Sequence, residues 1–284
     1  MTAVISSTRA ELLRLRKWPA VWVTLGAWMA LTAMFGYLFN YLSYSTGDTS
    51  FSNEGATAAS LLAEILPANV PSVLLQGMPM FGGALMMVLG AIVAGNGYSW
   101  GTWKTVFTQG PSRMSAVLGS MAALTTFVAA TVLATLVLCF TLSLVVAGVE
   151  SQALVWPSAG SIVTSLGAGF LVLEMWALAG FLLGTLARGP ALSVGLGLVW
   201  ALVVENLLRG VGALLAPVEA FTTVLPGTGA GSLVGSIVGV TENGDSTPGV
   251  LDTLTAMQAG LTVAVYAVLL PVLTLLLVRR RDVI

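Results

Sequence analysis

Three ionisable residues sit inside apolar runs long enough to cross a bilayer: Glu174 in LVLEMWALAG, and Glu205 with Arg209 in VVENLLRG. A charge at the bilayer centre costs about 2.5–3.5 kcal/mol even on the most lenient insertion scale. Each of the three therefore needs a partner or a polar cavity. Glu205 and Arg209 are four residues apart, which places them on one helix face where they can neutralise each other. Glu174 has no basic residue one turn away, so it must face the protein interior, a water-filled cavity or a second subunit. Two roles are open for the set. The residues line a translocation path or a protomer contact, or they are structural: an ion pair near the outer interface, and a protonated, hydrogen-bonded Glu174.

A second cluster is the polar stretch NGYSWGTWKTVFTQGPSR (96–113), which interrupts two apolar runs and holds Lys104 and Arg113. Other chemistry is excluded by residue type. The chain has no histidine and one cysteine, Cys139, so neither a Ser-His-Asp set nor a Cys-His pair can be assembled, and a disulfide framework or cysteine-based metal site is impossible. No run of intramembrane carboxylates is dense enough for a metal. Catalytic residues and metal ligands are thus both expected to be absent. The Gly-rich segment 227–240 lacks a lysine after its glycines and is not a phosphate-binding loop. Eleven methionines, including those of GMPMFGGALMM, read as flexible packing.

The elements that must position these residues follow from composition. Of 284 residues, 57% are hydrophobic and 8% charged, with mean hydropathy +0.95. Soluble domains carry about 25% charged residues, so this chain cannot clothe a water-facing surface and is an integral membrane protein. A single transmembrane domain over 1–284 is expected, with no cleavable signal peptide. Six segments reach the roughly 20 apolar residues a spanning helix needs: about 20–42, 79–97, 117–148, 161–187, 191–215 and 258–278. The third is long enough to extend beyond the bilayer. All must be helical, since lipid offers no partner to an open strand edge. The fold class is therefore all-α with six transmembrane helices.

Charge orients the set. Arg9, Arg14, Arg16, Lys17, Lys104, Arg113, Arg188, Arg279, Arg280 and Arg281 are ten of the eleven basic residues, and all fall on one side of this arrangement. By the positive-inside rule that side is cytoplasmic, and so are both termini. The opposite segments carry Asp48, Glu54, Glu64, Glu150, Glu219, Glu242, Asp245 and Asp252, with no Lys or Arg. In one of them, ASLLAEILPANVPSVLLQG reads as a short amphipathic helix near the interface. In another, GTGAGSLVGSIVGV repeats glycine at 231, 235 and 239, which gives a smooth helix face for close contact. It is too short to span and reads as a re-entrant or lid helix before the last span. Of the eight tryptophans, Trp18, Trp22 and Trp156 fit an interfacial belt, and Trp100 and Trp103 are expected to anchor the 96–113 segment there.

A six-span chain that opens with RAELLRLRKWP and carries GYSWGTWKTVFTQGPSR after its second span resembles the permease subunits of ABC-2-type transporters. The resemblance in topology covers the whole chain, and the motif under twenty residues. It implies that residues 1–18 form an interfacial connecting helix. It also implies that 96–113 is a coupling segment docking into a separate ATPase, through Tyr98, Gly101, Thr102, Trp103, Lys104, Ser112 and Arg113. Where the family often has a glutamate just before the aromatic residue, this chain reads Asn96-Gly97. With no Walker A or Walker B signature, the chain is not itself an enzyme, and ATP and Mg are used by the partner. The resemblance further implies two ATPase subunits, a second permease protomer (identical or related), lipid contacts and no nucleic acid. The setting is a plasma (inner) membrane of bacterial type. Export of an amphipathic or hydrophobic cargo (drug, peptide antibiotic or lipid) is the expected function. An ion-coupled transporter or channel using Glu174 or Glu205 is the alternative, and a non-transporting scaffold a third.

Overall fold

A computed structural model of the chain describes residues 2–48, 57–108, 110, 112–239 and 247–280. Among the described residues there is no strand, and six helices are long and apolar enough to cross a membrane. Spans 1–6 are Pro19–Thr46, Met78–Ser99, Arg113–Val149, Ala159–Ala187, Pro190–Gly212 and Ala256–Arg280. Each lies within a few residues of the expected segment. Span 3, with 37 residues, is about 55 Å long at 1.5 Å per residue and exceeds a hydrocarbon core of about 30 Å. The shorter helices are α1 (Thr2–Lys17), α2 (Ala58–Glu64), α3 (Val70–Leu75), α4 (Thr102–Thr108), α5 (Ala216–Thr222) and α6 (Pro226–Val238).

Spans 2 and 4 form the centre. Their apolar windows are 67% and 61% buried, against 17% for spans 5 and 6. Small residues let their backbones touch. A Cβ on Gly90 would strike the Ala177 carbonyl, one on Gly180 the Met87 carbonyl, and one on Gly184 the Ala91 carbonyl. The indole of Trp176 fills the space over Gly83. Residue numbers rise together along both helices, so spans 2 and 4 run parallel. This is the close approach that glycines at four-residue spacing permit between helices in lipid.

Spans 1 and 3 also run parallel, and polar bonds join them. Trp28 donates from Nε1 to Thr135 Oγ1 at 2.9 Å, and the Tyr37 hydroxyl donates to the Cys139 carbonyl at 2.9 Å. At the far end, Tyr41 and Tyr44 both donate to the Glu150 carboxylate, at 2.9 and 3.0 Å. Parallel pairing of 1 with 3 and of 2 with 4 is what an up-and-down chain requires.

Two bent helical pairs fill the end opposite α1. The bend is 62° between α2 and the stretch leading through α3, and 74° between α5 and α6. In the first pair α2 is amphipathic, with Ala58, Ala59, Ser60 and Ala63 exposed and Leu61 and Leu62 buried, and the stretch that follows packs into the bundle, with Ile65, Val70, Leu74 and Leu75 wholly buried. It fits because Gly36 of span 1 faces Val73 and Gly169 of span 4 faces Leu75. The second pair uses the expected glycine face in part. Gly231 and Gly235 are buried in α6, whereas Gly239 lies beyond its end at Val238, with φ 83°, and is exposed. Gly227, four residues before Gly231, continues the face, and Gly227, Gly229 and Gly231 make close contacts against Glu205, Thr262 and the Gly249 carbonyl.

Gly180→Ala should force spans 2 and 4 apart and destabilise the protein by about 1–3 kcal/mol, the usual cost of overpacking. Gly26→Ala, where nothing lies within 4 Å, should be neutral. Thermal unfolding in detergent followed by size-exclusion chromatography measures both, and equal midpoints for the two variants would refute the packing account.

Candidate functional site

The turn after span 2 is built on one glycine. Gly101 has φ 67°, a conformation that favours glycine, and its N–H donates to the Tyr98 carbonyl at 3.1 Å. Thr102 then opens α4. Trp103, expected as an interfacial anchor, is instead buried at 4% exposure. Its Nε1 donates to the Ala94 carbonyl at 3.2 Å, and its ring stacks on Phe107 at 5.3 Å and tilts against Tyr98 at 6.2 Å. The indole lies over Gly97, where a Cβ would collide with it. That is a physical reason for glycine immediately before Tyr98: a glutamate there would displace Trp103.

With Trp103 turned inward, Lys104, Thr105 and Thr108 face out from α4. Ser112 caps span 3 by accepting from the Ser115 N–H at 3.1 Å, and the Arg113 guanidinium sits 6.0 Å from the Phe107 ring centre. Gln109 and Pro111 of the expected segment lie outside the described residues. Trp100 is 69% exposed and meets Trp18 edge-on at 6.3 Å. This contact ties the start of span 1 to the end of span 2. Gly95 packs against Gly189 and Pro190, which brings the Arg188 turn to the same end. The basic turns are thus gathered at one end of the bundle, and Glu150 and the two bent pairs at the other. Glu54, Glu242, Asp245 and Arg281 lie outside the described residues.

Helix α1 belongs to this platform. It lies along the first turns of span 3, where Gly119 lets Ser7 and Thr8 approach. Glu11 is turned inward beside Ser120 and pairs with Arg14 at 2.8 Å. Arg14 in turn lies 5.6 Å from the Trp18 ring centre. Ile5, Arg9, Leu13, Arg16 and Lys17 form the exposed face. Burial pushes the Glu11 carboxyl above its ordinary 4.5, outweighing the opposing pull of Arg14.

The intramembrane charges are separated into two sites. Glu174, 6% exposed, faces span 3, where it bonds Thr125 Oγ1 at 2.5 Å; its Oε2 has no hydrogen-bond partner. Glu205 is wholly buried. It accepts from Trp200 Nε1 at 2.9 Å, pairs with Arg209 at 3.6 Å, and lies against Gly227 of α6. Arg209 continues to Asn206 Oδ1 at 2.8 Å and Thr228 Oγ1 at 3.4 Å. Sequence reasoning finds the Glu205–Arg209 pair but not Trp200 or the α6 contact. It also misses the Tyr41–Tyr44–Glu150 clasp, whose partners are more than a hundred residues apart. Among the described residues no group of three or more His, Cys, Asp and Glu is placed to hold a metal.

Compared with known protein families and characterised proteins, the chain matches no family model and no characterised protein at a significant level.

The raised Glu11 carboxyl gives a pH dependence with a defined sign. Its folded-state proton is held more tightly than in an undocked helix. Docking of α1 is therefore strongest below about pH 4.5 and weakens as the pH rises through the higher docked value. A spin label at Leu13 should gain mobility from about pH 4 to pH 8, and Glu11→Gln should flatten the response. An unchanged response in that variant would show that another group governs docking.

Proposed function

We propose that this chain is the membrane-spanning permease subunit of an ATP-driven exporter of the ABC-2 type. The observation that carries the reading is α4: a short helix at the basic end, with Trp103 bolted into span 2 and Lys104, Thr105 and Thr108 turned outward. A protein pressing on α4 would move span 2 through Trp103. Span 4 would follow, since the Gly90–Ala177 and Gly180–Met87 contacts leave no slack between the two. An external motor needs such a lever, and the chain carries no nucleotide-binding signature of its own.

On this reading α4 faces the cytoplasm, with α1 on the inner leaflet and both termini inside, in accord with the gathered basic residues. The bent pairs α2–α3 and α5–α6 then lie at the outer face as re-entrant elements. Two ATPase subunits use ATP and Mg, a second permease protomer completes the pathway, and an amphipathic or hydrophobic cargo leaves by alternating access. The membrane is the plasma membrane of a bacterium. The ion-coupled alternative would need Glu174 or Glu205 on an open route. Each carboxylate has one oxygen hydrogen-bonded inside the chain, which supports structural roles for them.

Purification from the native cell in mild detergent should yield a co-purifying ATPase. Replacing Lys104 by Glu, together with Thr105→Ala and Thr108→Ala, all outward on α4, should remove it while the permease remains folded. Retention of the ATPase by that variant would overturn the assignment of α4. Absence of any ATPase from the native preparation, with ion-driven transport by the purified chain in liposomes, would favour the alternative.

A further inference from the structure

Span 5 is not a uniform α-helix. Residues Val199–Val204 form a π turn, closed by the Glu205 N–H donating to the Trp200 carbonyl. Trp200 and Glu205 are joined a second time through their side chains, Nε1 to Oε1 at 2.9 Å. In an α-helix of about 3.6 residues per turn, positions five apart point about 140° away from each other and their side chains cannot meet. In a π turn, whose hydrogen bond runs across five residues, they stack. The side-chain bond therefore exists only while the π turn does.

The other side of Glu205 is closed by α6. Its Oε2 lies over Gly227, where a Cβ would run into the carboxylate, and Arg209 reaches past it to Thr228. Span 5 is otherwise lightly held, with 17% of its apolar window buried. The groups facing the carboxylate are thus Trp200 and Arg209 from span 5 and the first turn of α6, with Tyr266 of span 6 near enough to feel its charge.

We propose that the outer third of span 5 is a register switch. Glu205, clasped between Trp200 and the first turn of α6, holds the π turn. When α6 moves off, the surplus residue of the π turn is released and the segment resolves into plain α-helix. Everything beyond Val204 then rotates by about 100°, one residue of helix. A displacement of α6 at the end of the bundle is so converted into rotation of the helix segment that carries Asn206, Leu207 and Arg209. The inference does not depend on the chain being a transporter.

The test is distance measurement by pulsed electron spin resonance in liposomes, on the full chain with Cys139→Ala. Spin labels are placed at Leu207, beyond the turn, and at Val149, at the end of span 3; both are 65% exposed. The parent should give one distance. Trp200→Phe, which removes the Nε1 donor and keeps a ring, should add a second population, displaced on the order of 8 Å for a rotation of that size at the side-chain radius. Gly227→Ala should do the same by pushing α6 away. Deleting Ala201 in the Trp200→Phe background removes the surplus residue, so a plain α-helix keeps the outer end in place and the second population should vanish. A single unchanged distance in Trp200→Phe would overturn the proposal, as would persistence of two populations after the deletion. Should Gly227→Ala fail to fold, those two measurements decide alone.

Discussion

Where span 2 meets span 4, glycines replace side chains, and the two backbones lie in contact from Met87 to Gly95. In lipid, apolar side chains gain little by leaving one hydrocarbon environment for another, so helices associate through close packing and polar bonds. The 2–4 pair uses the first of these. Its surfaces take Trp28 and Trp176 as space-filling walls over Gly82 and Gly83, and buried Trp103 extends the same packing to α4. Widening this contact would loosen the seat of α4 at one end and of α3 at the other.

Elsewhere the bundle uses polar bonds. The Trp28–Thr135, Tyr37–Cys139 and Tyr41/Tyr44–Glu150 bonds fix the register of span 1 against span 3, because each pair meets at only one rise of the two helices. Hydroxyls that bond back to the carbonyl four residues earlier, such as Thr135 and Thr131, need no partner across the interface to be buried at no great cost. That accounts for Thr131 and Thr135, while Ser143, also buried in span 3, meets the Tyr37 hydroxyl.

The number, bounds and helical character of the spans are legible in the sequence because lipid enforces them residue by residue. The pairing of spans 2 and 4 is half legible: Gly180 and Gly184 carry the four-residue signal, although the segment 231–239 displays it more plainly and buries only Gly231 and Gly235 of its three glycines. Interfacial and buried tryptophans are not told apart by type. Trp103 is buried because Ala94 and Gly97, nine and six residues earlier, leave a slot for its ring, and that local spacing is readable in hindsight. Glu205 and Gly227 are 22 positions apart in sequence, and Tyr41 and Glu150 more than a hundred. Nothing local encodes such contacts. The sequence marks Glu205 as needing a partner, and only the fold supplies the second one.

The same logic separates a rigid centre from a movable margin. Spans 5 and 6 bury little of themselves, so few bonds decide where they sit: Glu205 to Trp200 and Arg209 within span 5, Arg209 to Thr228 of α6, and Tyr266 of span 6 to the Val224 carbonyl at 2.9 Å. Two of these four, Arg209 to Thr228 and Tyr266 to Val224, converge on α6 or the residues just before it. A force delivered to α4 would thus be transmitted almost undeformed through spans 2 and 4. Deformation would collect where packing is thinnest and the retaining bonds are fewest, at α6 and the end of span 5 beside it. An intramembrane carboxylate there needs no ion pathway to explain it. It is the group that lets a lightly packed helix hold one register until its neighbour moves.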